Sequence, residues 1–243
     1  MLMFRKAFVY LLLSNVMTLS QAQPNPLDLQ SDDFDAWISQ HMSENGSSDF
    51  CRIVVDRLKA QRRTSSSSIM KCVEREANSG QIAANAVRRS STYIDQILAN
   101  CGDDNVLRAQ LLRRKGSLLL QGNDFAGAAT QFERALTYSN PARLEADWQY
   151  QSSLVSLGQA LSSIGKKKEA ESYFLQALSY PWYTITKDAD ELQRFRDVYV
   201  QAGRGLIDVR RNNLQELKSI VFVPASMNDL GPALDEAIRT ASK

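Results

Sequence analysis

Histidine is nearly missing from this sequence: the chain has one, His41. A serine or cysteine nucleophile ordinarily needs a histidine base, and His41 falls in a polar, proline-containing stretch ill suited to fixing one. The Gly-x-Ser-x-Gly turn of many hydrolases is absent as well. Cysteine is scarce, with Cys51, Cys72 and Cys101 separated by 21 and 29 residues. Those spacings match no zinc pattern, so neither a metal nor another cofactor is expected. Charge of one sign is also lacking. The formal net charge is +2, and Arg5 and Lys6 are the only charged residues before Ala22; without them 27 basic face 27 acidic side chains. A balanced chain gives no electrostatic case for nucleic acid or an anionic membrane. Strand-like alternation is almost wholly missing. Only "SIVFVP" (219–224) tempts, and Pro224 closes it.

What is present begins with an address. "MLMFRKAFVYLLLSNVMTLSQAQP" carries a basic head at Arg5 and Lys6, an apolar stretch from Ala7 to Leu19, and small residues at Ser20 and Ala22. That is the three-part layout of a secretory signal, residues 1–22, cut after Ala22. The competing reading is a membrane anchor. The run falls short of the roughly 20 residues a spanning helix needs, and Ser14 and Asn15 interrupt it. No later segment is apolar enough to span, so no stable membrane insertion is expected after cleavage. The expected compartment is a bacterial periplasm, with secretion as the alternative. Export gives the cysteines meaning, because three thiols in an oxidising compartment allow one bridge with one left over. Three buried thiols acting as small hydrophobes is the other reading, and the pairing is open.

Residues 23–47 mix prolines, acids and small polar residues and read as a flexible leader. A short helix around Asp33 to His41 would gather Phe34, Trp37 and Ile38 on one side. Asn45-Gly46-Ser47 fits a glycosylation acceptor formally, although a turn is the simpler meaning. From Ser48 onward nearly every segment reads helical. "SDFCRIVVDRLKAQ" spaces Phe50, Ile53, Val54 and Leu58 by three and four behind a Ser-Asp cap. "RRTSSSS" is a polar loop, "IMKCVEREANSG" a shorter helix stopped at Gly80, and a longer helix ends near Cys101-Gly102. Residues 48–104 thus form an N-terminal helical region.

An internal repeat then emerges. "FAGAATQFERALTYSNP" aligns with "KKEAESYFLQALSYPWY": Ala128 with Ala170, Phe132 with Phe174, Ala135 with Ala177 and Tyr138 with Tyr180. Upstream, Gly116 aligns with Gly158 and Leu119 with Leu161, every pair 42 residues apart. Each unit reads as a helix with a glycine, a tight turn at Gly122-Asn123 or at Gly165, and a second helix with two alanines seven apart on one face. Small residues let antiparallel helices approach closely, and the phenylalanine fills the space where the next hairpin packs. A lone hairpin cannot bury that face, so units must stack.

These residues resemble the tetratricopeptide repeat family. Gly116, Ala128, Phe132 and Ala135, then Gly158, Ala170, Phe174 and Ala177, carry its signature, with Pro141 and Pro181 near its terminal proline. The usual repeat is about 34 residues long; the longer spacing here is similar to the kinesin-light-chain-type subclass. The resemblance covers residues 105–182. Gly80 lies 42 residues before Gly122, which marks a degenerate unit upstream. Residues 183–243 read as C-terminal helices, ending in a cap over "NDLGPALDEAIRTAS". The resemblance implies an all-α fold of antiparallel helical hairpins stacked as a short right-handed superhelix. It also implies a concave face lined by the first helices, here Gln110, Arg113, Ser117 and Gln121, then Ser152, Val155, Gln159 and Ser162. The family's chaperone-binding members clamp a carboxylate with lysines and asparagines on that face. Only Arg113 offers charge here, so no such clamp is expected.

Other chemistry fits less well. A phosphate loop needs a glycine-rich turn after a strand, with a lysine and a hydroxyl at set places; "QGNDFAGAAT" has no lysine and follows an apolar helix. Glu145 with Asp147 and Glu169 with Glu171 are carboxylate pairs of the kind common on exposed helix faces. Trp148, Trp182 and Tyr183 are contact candidates, with ordinary packing as the alternative. The expectation is an exported non-catalytic adaptor for a protein or peptide. An accessory subunit of polysaccharide export or envelope assembly, and a peptide or small-molecule sensor, are the alternatives.

Overall fold

A computed structural model of the chain describes residues 49–78, 84–139, 148–179 and 188–211, together with 30, 33, 36, 37, 216, 217 and 239. The secretory signal, most of the leader with His41 and Asn45-Gly46-Ser47, the Gly80 turn, Pro141, Pro181, Trp182, Tyr183, the "SIVFVP" stretch and nearly all of the C-terminal cap lie outside the described residues. Among the described residues the chain is helical and has no strand. In order come α1 (Asp49–Lys59), α2 (Ser66–Asn78), α3 (Ala84–Leu98), α4 (Asn105–Gln121), α5 (Phe125–Tyr138), α6 (Trp148–Ser163), α7 (Lys167–Leu178) and α8 (Ala189–Val209). The fold is all-α and repeat-like, each helix packing mainly on its neighbours in sequence.

The turns explain the hairpins. Asn123 takes a left-handed backbone, φ 61°, and 42 residues later Gly165 does the same at φ 83°. Asparagine and glycine are the residues that adopt this conformation at least cost. Asp124 then caps α5, its carboxylate accepting from the Gly127 N–H at 2.9 Å. Asp104 caps α4 through Leu107 N–H at 2.9 Å, and Asp188 caps α8 through Glu191 N–H at 2.9 Å. Each such cap contributes about 1 kcal/mol. The Gly- and Asp-containing turn 122–127 is thus built from helix ends.

The repeat residues meet as pairs. A Cβ on Gly116 would lie 2.8 Å from the Phe132 ring, and one on Gly158 would lie 2.7 Å from the Phe174 ring. Each glycine therefore clears room for the phenylalanine of its own hairpin. All eight repeat residues are buried. The sequence assigns the phenylalanine to the gap before the next hairpin, and Phe174 fills that place too. A Cβ on Gly205 of α8 would collide with the same ring. Gly205 follows Gly158 by 47 residues, so α8 takes the place of a further first helix at a shifted register.

Two apolar clusters share the helices. One unites α1, α2, α3 and the inner face of α4 through Val54, Ile69, Ile94, Ile97, Leu107 and Leu111, with Trp37 of the leader packed against it. Asp33, Ala36 and Trp37 are helical, as the leader's pattern predicts. The other runs from α5 through α8, around Phe132, Leu157, Phe174, Ala202 and Leu206. Where the repeat spacing carried back from Phe132 reaches Ser90, that serine is buried and its hydroxyl has no partner among the described residues. The repeat's phenylalanine is thus replaced there by a small polar residue.

Of the alternatives open for the cysteines, the structure has a Cys51–Cys72 disulfide with Cα atoms 5.0 Å apart, and Cys101 is free. The bridge ties α1 to α2 where α1 is short. For a loop of this length, constraint of the unfolded chain contributes about 3 kcal/mol. Urea unfolding of Cys51→Ala/Cys72→Ala should show a loss of about that size, whereas unchanged stability would mean that the bridge does not hold the N-terminal cluster.

Candidate functional site

The residues assigned to the concave face fall on α4 and α6. Gln121 and Gln159 are exposed, while Gln110, Arg113, Ser117, Ser152 and Ser162 are half-buried. Val155 departs from the expectation. It is 1% exposed and belongs to the α5–α8 cluster, so it cannot present itself to a ligand. Its neighbours Leu154 and Leu157 are buried as well, because α6 packs against α5, α7 and α8. A helix contacted on so many sides keeps only a narrow strip of surface.

Arg113 offers its charge inward to the structure. Its guanidinium donates to Oε1 of Gln149 on α6 and reaches Oγ of Ser139, just past α5, at 3.5 Å. It therefore joins three consecutive helices, and a ligand would have to compete for those donors. The Ser117 hydroxyl donates to the Arg113 carbonyl at 3.1 Å. One junction residue escapes the sequence reading altogether. Gln151 is fully buried and its Nε2 donates to the Ala177 carbonyl at 2.8 Å, fastening α6 to the last turn of α7. Its Oε1 is buried without a partner among the described residues. A glutamine beside a serine pair gives no periodic signal that would have marked it.

Of the carboxylate and aromatic candidates, Glu169, Glu171 and Trp148 are tied into the framework, while Glu145, Asp147, Trp182 and Tyr183 lie outside the described residues. Glu169 pairs with Lys166 at 3.2 Å within the first turn of α7, and Glu171 accepts from Arg210 at the end of α8. That hydrogen bond to Glu171 is the main cause that holds the Arg210 guanidinium above its ordinary pKa. Trp148 packs against the α5–α8 cluster and lies beneath the Arg194 guanidinium, 5.5 Å from the ring centre. Such a contact is worth about 0.5–1 kcal/mol at an exposed site, and it makes Trp148 a packing residue. Among the described residues no group of three or more His, Cys, Asp or Glu is placed to hold a metal. No helix there is long and apolar enough to cross a membrane.

Residues 151–181 match the family model described as tetratricopeptide repeat. The match spans α6 and α7 and includes Gly158, Ala170, Phe174 and Ala177. Comparison with curated proteins gives no match. Tetratricopeptide repeats are a non-catalytic scaffold fold, and the match covers one unit of this chain.

Cys101 is the free thiol, half-buried in the turn between α3 and α4. Burial raises its pKa above the ordinary thiol value, and the nearby Arg108 offsets only part of that. The thiolate is the reactive form, so iodoacetamide should label Cys101 more slowly than an unstructured cysteine peptide at the same pH. The two rates should converge only as pH rises past the elevated pKa. Labelling as fast as the peptide at neutral pH would contradict the burial.

Proposed function

We propose that the chain is an exported, non-catalytic scaffold of the tetratricopeptide type that binds a protein or peptide of the cell envelope. On this reading α4 to α8 continue as a right-handed superhelix, and the strip of α4 and α6 carrying Gln110, Ser117, Gln121, Ser152, Gln159 and Ser162 faces the partner. The observation that supports it best is the recurrence of one contact, glycine of the first helix against phenylalanine of the second, in two successive hairpins. A stack built that way devotes its interior to holding helices at fixed spacing and leaves its chemistry to the surface. The strip is amide- and hydroxyl-rich, so it suits hydrogen bonding to an extended backbone more than ion pairing. The basic and apolar head of the sequence supports export.

Immobilised residues 23–243 should capture a defined envelope protein. Gln121→Glu/Gln159→Glu, at two exposed positions, should lose that capture while keeping the melting temperature. Capture unaffected by the substitutions would move the interface elsewhere. Turnover of an envelope substrate, abolished by one point mutation, would contradict a non-catalytic role.

A further inference from the structure

Ahead of the repeats, a pocket of about 580 Å³ opens between two turns. Small-molecule sites run from roughly 300 to 1,000 Å³. One wall is the link from α1 to α2. Gln61 turns the chain there with a left-handed backbone, φ 55°. The buried Arg57 side chain then pins the link by donating to the Arg63 carbonyl at 3.0 Å. Arg62 and Arg63 line the pocket from this wall and are exposed. Their guanidinium groups have no hydrogen-bond or ion-pair partner among the described residues.

The other wall is the turn from α3 to α4. Arg108 is already engaged there, its guanidinium donating to the Gly102 carbonyl at 2.9 Å. Asn100 donates from Nδ2 to the Gln96 carbonyl at 2.7 Å, which leaves its Oδ1 as an acceptor. Asp104 accepts from the Leu107 N–H through Oδ1 at 2.9 Å, and its side chain is exposed at the pocket. The walls are thus opposite in kind. Two cations stand on one, a carboxylate and an amide oxygen on the other, and no ion pair among the described residues joins them.

We infer that this pocket binds a small zwitterion, an amino acid or short peptide whose carboxylate lies against Arg62 and Arg63 and whose ammonium lies against Asp104 and Asn100. The planar guanidinium fork matches a carboxylate, and an ammonium brings three donors that need acceptors. A simple anion would be opposed by Asp104, and a simple cation by two arginines. A molecule carrying both charges is favoured by every group named, so the same side chains that bind it reject its singly charged relatives. An extended peptide lengthens by at most about 3.3–3.6 Å per residue, so the chain length bound best measures the gap between the walls. The pocket lies apart from the α4 and α6 strip, and the inference does not depend on the scaffold reading.

Cys101 lines the pocket and is the free thiol, so its alkylation by iodoacetamide reports occupancy. Alanine, dialanine and trialanine are titrated through the millimolar range against the purified chain at fixed pH. With at least one of them the labelling rate should fall to about half at a concentration equal to Kd, and further beyond it. The best length assigns the ligand as amino acid or peptide. Its N-acetylated and C-amidated forms, each lacking one charge, should protect about tenfold less well. Arg62→Gln/Arg63→Gln, compared with its own ligand-free rate, should lose protection by about tenfold or more. Asp104→Asn keeps the helix cap, since asparagine caps as well as aspartate. It should weaken protection by the zwitterion and leave that by the N-acetylated form unchanged. Lys167→Gln/Lys168→Gln, a remote change of the same charge, should have no effect. Three results would overturn the inference: no protection by any of the three, equal protection by the blocked forms, or protection that survives Arg62→Gln/Arg63→Gln. Capture of an envelope partner through the α4 and α6 strip should persist in that variant, so the two sites fail separately.

Discussion

The ring of Phe174 lies between two helices that each lack a side chain where it touches them. On one side Gly158 of α6 admits it, on the other Gly205 of α8. The ring is 1% exposed, and a shift away from either glycine drives it toward the other. Interiors packed to crystal density transmit such constraints instead of absorbing them. The position of α8 is therefore set by a side chain of α7 that is itself set by α6. Phe132 and Gly116 repeat the inner half of this arrangement one hairpin earlier. The packing of these helices follows from where the rings sit.

That constraint explains the division of labour along the chain. From α5 to α8 alanine, glycine and two phenylalanines join leucine and valine in the interior, and helices pack closely with little surface left on α6. Toward the N-terminus the ring-and-glycine device is missing: Ser90 is buried where the repeat spacing would place a phenylalanine. There α1, α2 and α3 are held by branched aliphatic side chains and by the Cys51–Cys72 bridge. A covalent tie compensates for a thinner core in a short-helix region.

The legible and illegible parts of the sequence divide by whether a residue acts through period or through partner. Helices and their turns could be read because apolar spacing and a glycine or asparagine at the bend are local properties. Gly116, Phe132, Gly158 and Phe174 could be marked because they recur at one spacing, although the contact of each glycine with the ring of its own hairpin comes only from the fold. Gly205 could not, since its 47-residue offset breaks the period even though it meets the same ring. Arg113 reads as a residue of the concave face, and only the fold brings Gln149 and Ser139 to it. Val155 was assigned to the surface by its helix register, yet α6 is covered on so many sides that the register no longer marks an exposed face. The cysteine pairing depends on how α1 and α2 pack, which spacing alone does not encode.

The most direct measurement is a double-mutant cycle in urea between Gly205→Ala and Phe174→Leu. Alanine in place of a helical glycine ordinarily stabilises by up to about 1 kcal/mol. Against the intact Phe174 ring, Gly205→Ala should instead destabilise, because overpacking of about 1–3 kcal/mol exceeds that gain. With Phe174→Leu in place the same change should become neutral or stabilising, giving a coupling of about 0.5–3 kcal/mol. If Gly205→Ala stabilises equally in both backgrounds, the ring does not fix α8, and the stack must be held by something else.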